Sequence, residues 1–173
     1  MSHCQKFLKY WLPALLWMVV IFSGSSDAKS YQHSSRFLEP FLHWLLPDMA
    51  QALTQAIHFV MRKCAHMTEY GLLAWLCWRA IRQPQKDRPQ PWNWSDAGLA
   101  LGLVAIYACS DELHQYFVPG RTGQASDVAV DMAGAIVGLA LLWAYQQTRE
   151  RGGLTDPRGD PAMLPQSPNE GGI

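Results

Sequence analysis

The sequence predicts an all-α integral membrane bundle of four transmembrane helices with an interfacial helical outer loop. Three observations support this fold class: apolar runs without a charge, a one-sided distribution of Lys and Arg, and polar residues confined to a few places. Of the 173 residues, 49% are apolar and only 16% are charged, whereas an ordinary soluble domain carries about 25% charged residues. The mean hydropathy of -0.07 conceals this contrast because the polar residues are concentrated rather than spread.

The charge balance and the cysteines exclude several classes of function. Fourteen Lys and Arg residues cancel fourteen Asp and Glu residues, so the chain lacks the net basic field that drives nucleic-acid binding. We therefore expect no nucleic-acid partner. The four cysteines form no CxxC pair, so their spacing predicts neither a zinc site nor a disulfide framework.

Four apolar segments are candidates for membrane spans. Tyr10 to Ser26 is an uncharged run that follows Lys6 and Lys9, and it predicts the first span. A cleaved signal peptide is the alternative, but no well-spaced small-x-small cleavage site follows Phe22. Three further spans are expected around residues 57–81, 97–110 and 132–148. The first of these three is apolar only in its second half, so its own composition supports a span weakly.

The distribution of basic residues predicts the orientation. If the amino terminus is cytoplasmic and all four segments cross the membrane, most of the Lys and Arg residues lie inside, as positive-inside proteins require. The predicted inner residues are Lys6, Lys9, Arg79, Arg82, Lys86, Arg88, Arg149, Arg151 and Arg158. The predicted outer residues are Lys29, Arg36, Arg62, Lys63 and Arg121. We predict a multi-pass protein of the bacterial inner (cytoplasmic) membrane with both termini cytoplasmic. A soluble four-helix bundle is the alternative, but it would need amphipathic stripes rather than uncharged runs.

The outer loop, residues 27–55, contains a segment that suits the membrane surface. Within residues 35–47, several large apolar side chains share one helical face. They are Phe37, Phe41, Trp44 and Leu45. This pattern is typical of a helix that lies along the bilayer interface, although Pro40 interrupts it.

The inner loop and the carboxyl-terminal tail are predicted from their polar composition. In residues 82–96, Ser95 or Asp96 is expected to cap the third helix. Residues 1–147 are predicted to form the transmembrane domain. Residues 148–173 are rich in Pro and Gly and are predicted to be a disordered cytoplasmic tail.

Ionisable residues occur inside three of the four predicted helices. On the second helix Arg62, His66 and Glu69 are spaced i, i+4, i+7, which predicts that they share one face. Lys63 and Tyr70 flank that face. Because an ionisable side chain in a span costs about 2.5 to 3.5 kcal/mol, such a group is expected to face the bundle interior or a water-filled cavity.

The third and fourth helices carry matching groups. Asp111, Glu112 and Gln115 cluster on the third helix, and Asp127 and Asp131 form an i, i+4 pair on the fourth. Because the predicted helices alternate in direction, all three groups reach one level, in the outer leaflet. The sequence therefore predicts a polar pocket there. The alternative is that these are helix-end residues in the headgroup zone that pair only to satisfy charge.

The connector between the third and fourth helices, residues 117–127, is predicted to cover this pocket. Pro119 and Gly120 indicate a turn, and Arg121 is placed to reach a phosphate or a carboxylate. The alternative is an ordinary connecting loop.

Two glycine pairs predict close helix packing. Gly134 and Gly138 form a GxxxG pattern on the fourth helix, and Gly98 and Gly102 form another on the third. Small residues at this spacing let two helix backbones approach each other in a membrane.

Two motifs, taken with the residues after them, resemble a known family. The relevant segments are RKCAHMTEY (Arg62–Tyr70), SDELHQYFVPGR (Ser110–Arg121), Asp127-Val128, Gly134 and Gly138. Together they resemble the VanZ-like membrane proteins over about residues 10–147. The resemblance implies a small helical membrane protein of a family whose named member is associated with low-level resistance to the glycopeptide antibiotic teicoplanin. Met67 stands where an aromatic residue usually follows the motif histidine, and Asp131 stands where the family often has asparagine.

The first functional hypothesis is an enzyme, a hydrolase or transferase on a lipid-linked or cell-envelope substrate such as a polyprenyl phosphate or a phospholipid head group. Carboxylates near a histidine can provide a general acid and base. The candidate catalytic residues are His66, Glu69, Asp111 and Glu112. The candidate substrate-binding residues are Arg62, Lys63, Tyr70, Gln115, Arg121, Asp127 and Asp131.

The chemical route stays open at the level of the sequence. The chain has no GxSxG nucleophile motif, which favours a water-mediated or metal-assisted reaction. A divalent metal is one option, since carboxylates and imidazole are common ligands. Its candidate ligands are His66, Glu69, Asp111 and Asp131.

The second hypothesis is a non-catalytic membrane protein. The same charged groups would then recognise a lipid head group, an envelope precursor or a partner protein. A small transporter has less support because the sequence shows no inverted repeat and no broken helix pair.

Overall fold

The computed structural model describes residues 3–26, 40, 44, 51–84, 90–118 and 125–153. These residues form five helices and no strand, which confirms the all-α class. The helices are α1 (His3–Tyr10), α2 (Leu12–Ser26), α3 (Gln51–Arg82), α4 (Trp94–Phe117) and α5 (Ala125–Gly153). The predicted surface segment 35–47, apart from Pro40 and Trp44, lies outside the described residues, as does Arg121.

The first predicted span, Tyr10 to Ser26, coincides with α2 except for its first two residues, and α1 precedes α2 at an angle. The axes of α1 and α2 meet at an angle of 43° on either side of Trp11. Pro13 explains the break, because proline has no N–H to donate to the carbonyl of Lys9 and its ring crowds that carbonyl. The prediction of one continuous helix from Tyr10 to Ser26 is therefore wrong at its amino-terminal end.

The ends of the other helices also differ from the prediction. The cap of α4 is Asn93, whose side-chain oxygen accepts a hydrogen bond from the Ser95 N–H at 2.8 Å. The predicted caps, Ser95 and Asp96, lie inside the helix, and Asp96 instead accepts a hydrogen bond from Arg82 at 3.1 Å. Helix α5 continues to Gly153, so the first part of the predicted tail is helical, and residues 154–173 lie outside the described residues.

Contacts between helices establish their relative directions. Tyr70 of α3 contacts Asp111 of α4, and Arg82 near the end of α3 contacts Asp96 near the start of α4. Helices α3 and α4 are therefore antiparallel. Helices α2 and α4 run in the same direction, since Met18 and Ser25 contact successively later residues of α4, Tyr107 and Asp111.

The tightest packing joins α3 to α5 through glycines. A Cβ atom built on Gly134 would lie 2.3 Å from the Met67 carbonyl oxygen, and one on Gly138 would lie 2.7 Å from the Gly71 carbonyl oxygen. The two backbones are therefore in direct contact, as predicted for this pair of glycines. The order of the contacts shows that α3 and α5 run in the same direction.

The second glycine pair does not pack in this way. A Cβ atom on Gly98 or on Gly102 would meet nothing within 4 Å, and both residues are exposed. The prediction of a close contact at these two positions is wrong for this single chain.

Alanines make up a large part of the buried core, together with larger side chains such as Tyr70 and Leu73, and further large apolar residues cover the outside. Fully buried alanines include Ala74, Ala100, Ala108 and Ala135. Many larger apolar side chains face outward, among them Ile106 at 71% exposure and Leu141 at 67%. The helices thus approach closely and present an apolar surface.

Length and composition identify one described helical segment that can cross a membrane, Ser126–Arg149. Helices α1 and α2 add a second if the bent pair is counted as one span. Helices α3 and α4 carry ionisable residues among their apolar ones, and neither is identified as a span by this criterion. The membrane crossing of all four segments is therefore still a prediction.

A buried polar layer as the candidate functional site

Polar side chains from four helices meet near one end of the bundle. We call this set the polar layer: Ser25 of α2, Lys63, His66 and Tyr70 of α3, Asp111 and Gln115 of α4, and Asp127 and Asp131 of α5. The alternating directions of the helices bring these groups to a common level. The sequence predicted this meeting for three of the four helices.

Asp111 is the centre of the polar layer. Its side chain is only 1% exposed, and its Oδ2 atom accepts hydrogen bonds from Ser25 Oγ at 2.8 Å, Gln115 Nε2 at 3.1 Å and the Tyr70 hydroxyl at 3.2 Å. Three donors compensate a carboxylate oxygen for the loss of water. The Oδ1 atom is buried and has no hydrogen-bond partner among the described residues.

His66 and Asp131 form the second element of the layer. The Nδ1 atom of His66 lies 3.3 Å from Asp131 Oδ1. Asp131 is fully buried, whereas the His66 side chain is 18% exposed. If Nδ1 carries the proton that it donates to Asp131, the lone pair of the neutral ring lies on Nε2. The other oxygen of Asp131, Oδ2, has no hydrogen-bond partner in the described part of the chain.

Lys63 and Asp127 form an ion pair at the edge of the layer. The Lys63 Nζ atom lies 2.5 Å from Asp127 Oδ1, and both side chains are partly exposed. Ser126 also donates to that oxygen, at 3.3 Å. Lys63 Nζ lies 5.4 Å from the centre of the Phe59 ring, on the same helix. This pair joins α3 to the first turn of α5.

The inward face of α3 differs from the face predicted from spacing. Arg62 is exposed and its guanidinium lies 5.9 Å from the Phe59 ring centre, so the prediction that it shares the inward face is wrong. Lys63, His66 and Tyr70 face the polar layer instead. The close contact of Met67 with α5 sets the rotation of α3 and turns Arg62 outward.

Two predicted catalytic carboxylates lie beside the polar layer. Glu69 is partly buried and interacts electrostatically with His66, Asp131 and Asp111. Glu112 is buried on α4, next to Asp111 in the chain. The structure therefore brings Glu69 to the layer and places Glu112 in the interior, while their chemical roles stay predictions.

The described residues contain no group of three or more His, Cys, Asp or Glu side chains placed to hold a metal ion. The candidate metal ligands predicted from the sequence do not form such a group in this structure. They are His66, Glu69, Asp111 and Asp131.

Sequence reasoning missed Ser25 as a member of the layer. It is buried, and its hydroxyl hydrogen-bonds to Asp111. The sequence feature that could have indicated Ser25 is its position near the end of the first apolar run, where the residues are small and polar. That end of the run was predicted to reach the outer leaflet. Two hydrogen bonds hold α2 in place beside the layer, from Trp17 Nε1 to the Glu69 carbonyl at 2.9 Å and from the Tyr107 hydroxyl to the Met18 carbonyl at 2.6 Å.

The fold and the site together define an α-helical bundle with an apolar exterior and a buried polar layer near one end. A family model described as VanZ/LLP1 matches residues 10–146. The chain therefore belongs to the VanZ/LLP1 family, which confirms the family predicted from the motifs. The matched range contains every member of the polar layer. No curated protein and no solved structure matches the chain.

Proposed function

We propose that this VanZ/LLP1 family member spans the bacterial inner (cytoplasmic) membrane four times, with both termini cytoplasmic and the polar layer in the outer leaflet. The spans are the bent pair α1–α2, then α3, α4 and α5. Their alternating directions support this topology. The basic residues Lys9, Arg79 and Arg82 lie at the end opposite the polar layer, where the positive-inside rule expects them.

The apolar exterior supports the same placement. Ile106 and Leu141 are about two-thirds exposed or more, and in water an apolar surface of this extent would promote association. Lipid tails solvate such side chains, and the small residues Gly134 and Gly138 let two helix backbones approach closely. The carboxylates Asp111 and Glu112 of α4 then lie in the bundle interior, away from lipid.

We further propose that the polar layer acts on a lipid-linked or cell-envelope substrate, such as a polyprenyl phosphate or a phospholipid head group. The pairing of His66 with Asp131 is the observation that carries this proposal. A buried carboxylate that accepts a hydrogen bond from Nδ1 orients the ring and leaves Nε2 free to act as a base. Nε2 then accepts a proton from a water molecule while the water oxygen attacks the phosphorus atom of the substrate. The partial exposure of His66 leaves this ring within reach of a substrate.

The neighbouring groups have complementary roles in this proposal. Glu69 is the general acid, which donates a proton to the leaving oxygen as its bond to phosphorus breaks. Lys63 and Arg121 bind the negatively charged phosphate of the substrate. Asp111 and its donors fix the relative positions of α2, α3 and α4 around the reacting groups.

A second candidate function is binding without catalysis. Its support is the pair of cations, Arg62 and Lys63, over the exposed Phe59 ring at the same end of the bundle. A ring with two adjacent cations suits the phosphate and the first methylene groups of a head group. In this case the His66–Asp131 pair would stabilise the bundle and would not react.

The two candidates can be separated with reconstituted protein. Proteoliposomes containing polyprenyl-phosphate-linked and phospholipid substrates are incubated in water enriched in oxygen-18, and the lipids are analysed by mass spectrometry. For an enzyme that hydrolyses its substrate, we expect oxygen-18 in the product with the wild type. The signal should fall at least about a hundredfold with His66→Gln, the range that general acid–base catalysis contributes.

The matched control is His114→Gln, because His114 is a second partly exposed histidine near this end, stacked on Phe22 at 4.3 Å. It should leave turnover unchanged. Native mass spectrometry of the same samples reports retained lipid. If the wild type retains lipid but shows no turnover, and the Arg62→Ala variant does not retain the lipid, the result would support the binding function and contradict the enzyme. Equal turnover in wild type and His66→Gln would contradict the catalytic role of His66.

A further inference from the structure

A second cationic site lies at the end of the bundle opposite the polar layer. The Lys9 Nζ atom lies 5.0 Å from the centre of the Tyr10 ring, and the Arg79 Cζ atom lies 5.4 Å from the same point. The two positive charges are therefore no more than about 10 Å apart (5.0 Å plus 5.4 Å). An anion that lies between or beside them is attracted by both.

The Tyr10 ring is a fixed platform for these cations. Tyr10 is buried, and its hydroxyl donates a hydrogen bond to the Pro84 carbonyl at 2.9 Å. This bond joins the end of α1 to the residues that follow α3. The meeting of Lys9 and Arg79 thus results from tertiary packing, since the two residues are distant in the chain.

Lys9 and Arg79 differ from the cations of the bundle that form ion pairs with carboxylates. Arg82 binds Asp96 and Lys63 binds Asp127, whereas within the described residues neither Lys9 nor Arg79 has a carboxylate partner. The ring attracts each cation but does not neutralise its charge. The site therefore has the chemistry to bind an anion.

The position of α1 indicates where the anion comes from. Helix α1 diverges from α2 by 43°, and its Phe7 and Leu8 side chains are both half exposed. A short helix with exposed apolar residues and lysines suits the boundary between head groups and acyl chains. In that position Lys9 and Arg79 lie at the depth of the lipid phosphates.

We propose that Lys9, Arg79 and Tyr10 form a binding site for the phosphate of an anionic phospholipid in the cytoplasmic leaflet. The planar guanidinium of Arg79 binds two phosphate oxygens, and the ammonium group of Lys9 binds a third. The lipid chains then cover Phe7 and Leu8. This proposal depends on the proposed membrane placement and not on the chemistry proposed for the polar layer.

The test compares lipid retention between two double variants of equal charge. Detergent-purified full-length protein is equilibrated with equal amounts of phosphatidylglycerol and phosphatidylcholine, and native mass spectrometry measures the ratio of the two retained lipids. Lys9→Gln with Arg79→Gln should lower this ratio about tenfold or more, since both residues lose the charge-assisted hydrogen bonds that they would donate to the phosphate. The control, Lys6→Gln with Arg149→Gln, removes two cations from the same end and should change the ratio less than about twofold.

Arg149 is a suitable control because it also lies over a tyrosine ring, that of Tyr145, at 6.0 Å. If both double variants lower the lipid ratio equally, the proposed site would be overturned, because the anionic lipid would then be attracted by the overall positive charge of this end and not by Lys9 and Arg79 in particular. A second outcome would overturn the assignment of a lipid as the ligand. In that outcome, millimolar inorganic phosphate displaces the lipid, and phosphate alone stabilises the protein against heat as much as the lipid does. If the Lys9→Gln, Arg79→Gln protein does not fold, Lys9→Gln alone, at an exposed position, must still lower the ratio clearly more than Lys6→Gln alone does.

One further variant separates this proposal from the proposed function. His66→Gln should keep the lipid ratio of the wild type while it loses turnover. A wild-type ratio in the Lys9→Gln, Arg79→Gln variant would disprove the phospholipid site and leave the polar-layer proposal unaffected.

Discussion

At the scale of single residues, Asp111 holds more of the polar layer together than any other described side chain. One oxygen of Asp111 accepts hydrogen bonds from three residues on three helices, Ser25, Tyr70 and Gln115. Its removal would leave all three donors buried without this acceptor. Networks of this kind stabilise a single arrangement when every member is paired and are costly when one is missing.

The first prediction concerns this carboxylate. Asp111→Ala should lower the free energy of unfolding by about 3 kcal/mol or more, because several buried donors lose their acceptor at once. Ser25→Ala removes one donor and should cost only about 1 kcal/mol. Unfolding in detergent, followed by circular dichroism, measures both. Equal, small effects would show that Asp111 is not the centre of the network.

The second prediction concerns the glycines between α3 and α5. Gly134→Ala should destabilise the protein by about 1 to 3 kcal/mol, because the new methyl group would overlap the Met67 backbone and force the helices apart. Gly102→Ala is the matched control, since nothing lies within 4 Å of that position. It should stabilise α4 by about 0.5 to 1 kcal/mol through helix propensity. The same unfolding assay checks both, and a tolerated Gly134→Ala would contradict the backbone contact.

At the scale of helices, the ends depend on local hydrogen bonds that residue type alone did not reveal. Ser95 or Asp96 was predicted to cap α4, whereas the observed cap is the neighbouring Asn93. All three residue types are common caps. The structure selects Asn93, because Asp96 is engaged by Arg82 from α3.

The third prediction follows from this choice. Asn93→Ala should cost about 1 kcal/mol of stability through loss of the cap, whereas Ser95→Ala should change stability by a few tenths. Amide hydrogen exchange in the first turn of α4 provides a local readout. Faster exchange in the Ser95 variant than in the Asn93 variant would contradict the assignment.

At the scale of the whole molecule, the direction of each helix determines which residues share a membrane surface. The proposed topology places Cys4 of α1 in the cytoplasm and Gln51, the first residue of α3, outside. Both residues are exposed. The two ends of the bundle can therefore be distinguished with one thiol at each.

The fourth prediction tests the topology. With the exposed Cys64 and Cys109 replaced by serine, Cys4 should react with a membrane-impermeant maleimide only after the cells are permeabilised. A thiol introduced by Gln51→Cys, in the same background with Cys4 also replaced, should react in intact cells. The reverse pattern would invert the orientation, and labelling of both thiols from one side would contradict the four-span arrangement.

Much of this architecture could be predicted because its signals are local. Long uncharged runs in the sequence indicate helices. When successive helices alternate in direction, the position of each ionisable residue along its helix indicates the level of the bundle at which that residue lies. Gly134 and Gly138 were recognisable from their spacing, whereas the same spacing at Gly98 and Gly102 was misleading. Both pairs allow close approach, but the pattern does not say whether another helix is there.

The sequence by itself determined the helical class, the family and the meeting of polar groups from α3, α4 and α5 at a common level of the bundle. Only the tertiary structure decided which side chains meet: His66 with Asp131, Ser25 with Asp111, and Lys9 with Arg79 around one ring. The physical reason is that an apolar helix can pack in several rotations with similar burial. Backbone contacts such as that between Met67 and Gly134 select one rotation, and that rotation turns Arg62 outward and Lys63 inward.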